Sequence, residues 1–153
     1  MKSLKFSFQF LLWLSIASLT SCKKDSNSTT KINDSATVVN IVNDGTWRIT
    51  YYFDTDHEET SSFVGYNFSF GSSNVLTATN GTNTYSGSWN VTDSNSADDN
   101  LSELDFNITF ISPAQFAKLT DDWEIIEKSS NLIRLRDISG GNGGIDYLTF
   151  TKN

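Results

Sequence analysis

The chain has 153 residues, 37% hydrophobic and 19% charged, with a formal net charge of −7. That length fits one domain, and the acidic balance excludes the basic footprint that nucleic-acid binding requires. A single cysteine and a single histidine exclude an intramolecular disulfide, a cysteine-based zinc site and a multi-histidine metal centre.

Lys2 and Lys5 give the chain a basic start, and residues 6–19 are mostly apolar, with Phe8, Phe10, Leu11, Leu12, Trp13, Leu14 and Ile16. This is the layout of a signal peptide over residues 1–21. The stretch is short and interrupted by Ser and Gln, whereas a spanning helix needs roughly 20 apolar residues. It ends in Leu19-Thr20-Ser21-Cys22. These residues resemble the lipobox of bacterial lipoproteins, which implies cleavage before Cys22, diacylglycerol on its sulfur and N-acylation. Two or three acyl chains anchor a protein stably where one does not. An ordinary signal peptide with a chance cysteine is the bland alternative.

Lys23-Lys24-Asp25 resembles the Lys-Asp/Glu sorting signal of surface lipoproteins of the Bacteroidetes, with Ser26 where a second acid would stand. The resemblance implies an outer-membrane, surface-exposed location. Residues 22–33 have no apolar period and read as the lipidated cysteine and a flexible polar tether. The domain then occupies residues 34–153. Asp34-Ser35-Ala36 resembles a short O-glycosylation motif of the same phylum and reads equally as a helix N-cap. Val38, Val39, Ile41 and Val42 predict a short helix over 35–43, lying as a lid at one end of the domain.

Residues 45–53 predict the first strand, with Trp47, Ile49, Tyr51 and Phe53 on one face. Asp54, Asp56, His57, Glu58 and Glu59 crowd the loop that follows. The second strand spans 62–70, with Val64, Tyr66, Phe68 and Phe70 inward. A tight turn at 71–74 leads to a third strand at 75–79, and Asn80-Gly81 signals a hairpin. The fourth strand covers 83–91, with Tyr85, Trp89 and Val91 on one face and Gly87 free to let the strand bend. After a polar loop, the fifth strand runs from Leu101 or Glu103 to Ile111, with Leu104, Phe106, Ile108 and Phe110 alternating with polar residues. Ser112-Pro113 opens a short helix near 113–119. Strands six, seven and eight follow at 122–128, 132–137 and 145–151.

Eight antiparallel strands joined by short loops suggest an all-β up-and-down barrel, with a two-sheet sandwich as the alternative. Gly45-Thr46-Trp47 matches the Gly-X-Trp motif of lipocalins. Tyr85-Ser86-Gly87-Ser88-Trp89, Asp122-Trp123-Glu124-Ile125-Ile126, Leu132-Ile133-Arg134-Leu135-Arg136-Asp137 and Tyr147-Leu148-Thr149-Phe150 resemble, in order, segments of the lipocalin-like lipoproteins of Bacteroidetes. The resemblance covers 45–151. It implies a lipocalin-like barrel in which Trp47 is structural and packs against a basic side chain, for which Arg134 and Arg136 are the candidates. The domain lacks the C-terminal helix and disulfide of the larger lipocalins.

Tyr51, Phe53, Phe68, Trp89 and Phe106 are the candidate lining of a pocket for a small apolar molecule. Alternatively they fill the barrel, since eight strands enclose either packed side chains or one small ligand. The acidic loops at 54–59 and 93–100 are candidate cation sites and equally ordinary solvated turns. No nucleophile elbow accompanies His57, and the glycines at 140–144 lack the lysine and helix of a phosphate loop. These features predict no catalytic residue, no metal and no cofactor. The expected partners are the membrane, through the lipid on Cys22, and a small hydrophobic ligand or a surface protein. The alternative is an accessory lipoprotein with a filled barrel, acting only through protein contacts.

Overall fold

The computed structural model describes residues 35–93, 104–138 and 143–153. The signal peptide, Cys22, the tether, Asp34 and most of the acidic loop at 93–100 lie outside the described residues, as do Gly140, Gly141 and Asn142.

The elements in order are helix α1 (Ser35–Asn43), strands β1 (Trp47–Asp54) and β2 (His57–Glu58), a 3₁₀ turn (Thr60–Phe63), and strands β3 (Asn67–Phe70), β4 (Val75–Thr79), β5 (Thr84–Asp93) and β6 (Leu104–Thr109). Helix α2 (Ala114–Ala117) precedes β7 (Asp121–Ser129), β8 (Leu132–Ile138) and β9 (Ile145–Lys152). Every neighbouring pair is antiparallel, and β1 pairs with β9 as well as with β3. The sheet therefore closes into an eight-stranded barrel, which excludes the sandwich. The two-residue β2 folds back on the end of β1 outside the eight.

The β1 face departs from strict alternation. A bulge lies between Ile49 and Tyr51 in its register with β9, and an extra residue turns the following side chains over. Trp47 and Ile49 point inward as expected, but the next buried residue is Tyr52, 1% exposed. Tyr51 is 39% exposed. The expectation that Tyr51 and Phe53 face the interior is thus corrected by one inserted residue. A second bulge, between Ile125 and Glu127 on β7, leaves Ile126 outside in the same way.

The predicted strand at 62–70 is also shorter than expected. Thr60 Oγ1 accepts the Tyr52 N–H at 2.8 Å, where a ladder partner would otherwise stand. The chain then makes a 3₁₀ turn and reverses at Gly65, whose φ is +86°. Val64, predicted inward, is 73% exposed. Phe63 is buried instead.

The interior is aromatic, and Phe116 on α2 plugs one end. Its ring lies 4.8 to 5.4 Å from those of Phe63, Tyr66, Tyr85 and Phe110. Helix α1 covers the other end through Val38 and Val42. Three buried indoles tie loops to the wall. Trp47 Nε1 donates to the Val42 carbonyl at 2.9 Å, Trp89 Nε1 to Gly71 at 3.0 Å and Trp123 Nε1 to Leu119 at 3.1 Å. Each buried N–H is satisfied, as a buried indole requires.

Gly87 is needed for a different reason than bending alone. A Cβ built there would stand 2.2 Å from the Thr109 carbonyl oxygen and 2.9 Å from Phe110 Cδ1. Tyr85, Gly87 and Trp89 share the inner face of β5, and the gap at Gly87 admits the Phe110 ring.

Candidate functional site

Three regions bear on function: the interior, a charged corner at one end, and the outer face of β4, β5 and β6. In the interior the structure brings together Phe68, Trp89 and Phe106 from the predicted set. Phe70 sits among them, 5.3 Å from Trp89, 5.5 Å from Phe106 and 5.4 Å from Phe150, all edge-on. Trp89 and Phe106 are themselves in contact, centroids 5.8 Å apart. Phe68 meets Phe150 at 5.4 Å. These spacings are those of rings in direct contact. Tyr51 and Phe53 are elsewhere, on the outer face, with nearly parallel rings 6.5 Å apart.

Trp47 is fully buried, as its motif implies, but its cation is neither candidate arginine. Lys152 Nζ lies 5.3 Å from the Trp47 ring centroid. Arg134 and Arg136 point outward and pair across β7 and β8 with Glu127 and Glu124. Parity explains this: Ile133 and Leu135 are the inward residues of β8, so the arginines between and after them must face solvent.

The charged corner gathers residues from β1, β2 and the segment after α2. His57 Nδ1 meets the Asp56 carboxylate, and its Nε2 meets Glu59 Oε1 at 2.7 Å. Both ring nitrogens face acceptors, an arrangement that suits the imidazolium. The His57 pKa is accordingly raised, chiefly by the hydrogen bond to Asp56 and then by that to Glu59. Lys118 Nζ donates to Glu59 and, at 3.2 Å, to Asp54. Glu59 is held below the ordinary carboxylate range, chiefly by Lys118. Asp54, His57 and Glu59 bring their ligand atoms within 4.8 Å of one another. The Lys118 ammonium already supplies positive charge to two of the three. This corner also anchors the plug, since Tyr52 Oη donates to the Lys118 carbonyl at 2.9 Å.

A second acidic group, Asp121, Asp122 and Asp137, lies where β7 and β8 reach the same end. Burial pushes the Asp121 carboxyl up to about 6 against the lowering effect of the Asp122 N–H bond, and the Asp122 and Asp137 carboxyl groups add to the rise. Nothing in the sequence pointed to this group, because Asp137 is distant in the chain from the adjacent Asp121 and Asp122 and meets them only through the β7–β8 register.

Two depressions mark the outer face of β4, β5 and β6. One, of about 140 Å³, is lined by Asn74, Ser88, Trp89, Asn90, Asn107 and Thr109. The other, of about 330 Å³, is lined by Val75, Ser86, Gly87, Ser88, Thr109 and Ile111. The sequence reading missed both, although the prediction of Ile111 at the end of a strand beside Pro113 marked where β6 would have to leave its neighbour.

No family model matches the chain, and no curated protein does. A crystal structure of a DUF4847 family protein from Bacteroides vulgatus ATCC 8482 is similar over 76% of this chain and 97% of its own, with 18% identity and a TM-score of 0.46. It is a distant likeness.

Proposed function

We propose that this chain is a lipid-anchored, non-enzymatic barrel of the outer membrane that works through its outer surface by contact with other proteins, its interior being filled. The observation that carries the reading is the Phe70 ring, in contact at once with Trp89, Phe106 and Phe150 in the middle of the barrel. Three of the five side chains that would line a ligand pocket are spent on ring contacts inside the barrel, and the other two are on the outer wall. The lipobox ending in Cys22 supports the anchor, and the Lys23-Lys24-Asp25 signal supports surface exposure. The ionic corner supports a structural role: Glu59 bonds both His57 and Lys118, and the Lys118 carbonyl holds the plug to Tyr52.

The test is a titration with the apolar fluorophore N-phenyl-1-naphthylamine. Wild-type protein takes up none in its interior. Trp89→Ala, which opens a cavity at a cost of roughly 3–5 kcal/mol, gains a saturable site. Saturable uptake by the wild type, competed by fatty acid, would restore the small-ligand reading.

A further inference from the structure

Among the described residues, the barrel wall is left open along part of the line between β5 and β6. Strand β5 pairs with β4 as far as Thr79↔Thr84, but its pairing with β6 stops at Ser88↔Thr109. The Trp89 N–H donates to Asn74 O at 3.0 Å on the β4 side. By antiparallel alternation the odd residues of β5 therefore face β4, and Ser86 and Thr84 face β6. At their level β6 has already left. Phe110 turns its backbone to Thr120, its N–H donating to Oγ1 at 2.9 Å and its carbonyl accepting from Oγ1 at 3.0 Å. The backbone N–H and C=O groups of Ser86 and Thr84 thus have no partner among the described residues, and Ser86 lines the 330 Å³ depression. Ile111, 91% exposed, flanks this edge, and Val75, 45% exposed, lines the depression from the β4 side of β5.

The occupant follows from that chemistry. N–H and C=O groups repeating every second residue are matched by an extended backbone, which is how a sheet edge accepts an added strand. Every residue lining the depression is uncharged, in a chain whose net charge is −7. A charged side chain entering it would lose hydration and meet no counter-charge. Ile111 stands out from the wall beside the edge, so a single strand fits where the flank of a second barrel would be obstructed. We propose that the seam between Ser86 and Ile111 takes an extended, uncharged segment of a partner protein as an added strand, with an apolar side chain against Ile111. The proposal rests on the reading that the barrel works through its outer surface, and names the place.

The probe is the acetylated, amidated pentapeptide Thr-Val-Thr-Val-Thr, added to the full ¹⁵N-labelled chain in detergent. Its addition slows exchange of the Thr84 and Ser86 amides by about tenfold or more and shifts the resonances of Thr109 to Ile111. The same peptide N-methylated at alternate residues keeps its side chains, loses its edge donors and does not bind. Ile111→Asp weakens binding by about tenfold, the loss of one apolar anchor, whereas Ile126→Asp on the outer face of β7 leaves it unchanged. Because Ile111 is nearly fully exposed, its substitution leaves the fold intact. Unchanged amides at millimolar peptide would overturn the proposal. So would equal binding of the N-methylated peptide, or protection of the same amides by self-association without peptide. Any of these leaves the filled interior standing, since that is decided by the fluorophore titration.

Discussion

Lys152 holds its ammonium 5.3 Å from the centroid of the Trp47 ring and 2.9 Å from the Asp44 carboxylate. One residue of the last strand thereby ties the first strand to the turn before it, across the line where the barrel closes. The Trp47 indole N–H completes the joint by donating to Val42 on α1. Lys152→Met keeps the aliphatic stem and removes the charge. It is expected to lower stability by about 1 kcal/mol, the usual size of a partly shielded cation–π contact. Arg134→Gln and Arg136→Gln act on surface pairs and are expected to change stability by less than about 1 kcal/mol. Urea unfolding followed by tryptophan fluorescence distinguishes them. A larger effect from either arginine would return the role to β8.

Gly87→Ala tests the close approach of β5 and β6. The added methyl would lie 2.2 Å from a backbone oxygen, which cannot swing aside as a side-chain tip could. A loss of roughly 3 kcal/mol is expected, the upper end of overpacking costs. Gly81→Ala should be milder, because its Cβ meets nothing within 4 Å and only its φ of +85° is strained. Thermal unfolding of the two variants side by side decides the order.

His57 should titrate above its ordinary value. A histidine whose pKa is raised on folding contributes stability that is fully present below its unfolded pKa and is lost as pH rises through the folded one. The corner that joins β1, β2 and Lys118 is thus tightest in mild acid and loosens as the imidazolium is lost. Asp56→Asn should lower the His57 pKa more than Glu59→Gln, since the bond to Asp56 is the larger cause. An NMR titration of the single histidine reads this directly, and the reverse order would contradict it.

Asp121 has the opposite consequence for a carboxylate. Its pKa is raised to about 6 by burial, so the folded protein binds a proton there that the unfolded chain has released. Stability therefore falls as pH rises from the ordinary carboxylate range through about 6. Asp121→Asn should flatten that fall and stabilise the protein at neutral pH by about 1 kcal/mol, allowing for solvent screening of a partly exposed group. Denaturation midpoints between pH 4 and pH 8, with and without the substitution, give the answer. A variant whose midpoint drops at neutral pH would show the carboxylate to be stabilising.

Much of this architecture was legible from side-chain alternation alone. Leu104, Phe106, Ile108 and Phe110 face inward as their spacing requires, and so do Ile133, Leu135, Leu148 and Phe150. The eight strands and both helices stand close to where the pattern puts them. Alternation failed where the backbone inserts or reverses. The β1 bulge exchanged Tyr51 for Tyr52, which no periodicity could show because both are aromatic and both suit a strand. The 3₁₀ turn at Thr60–Phe63 depends on a threonine hydroxyl replacing a ladder bond, a local choice invisible in a hydrophobic pattern. The identity of the Trp47 cation required the register of β9 against β1. The β5–β6 seam required knowing where two strands part, which the sequence marks only by an isoleucine two residues before a proline.

The measurement that bears most directly on the account is a native mass spectrum of the intact protein released in detergent from its own cells. The account predicts a chain beginning at Cys22, carrying diacylglycerol and an N-acyl chain, with no small apolar molecule retained in the barrel. An unmodified thiol at Cys22, or a non-covalent apolar adduct that stays with the folded chain and leaves on unfolding, would contradict it.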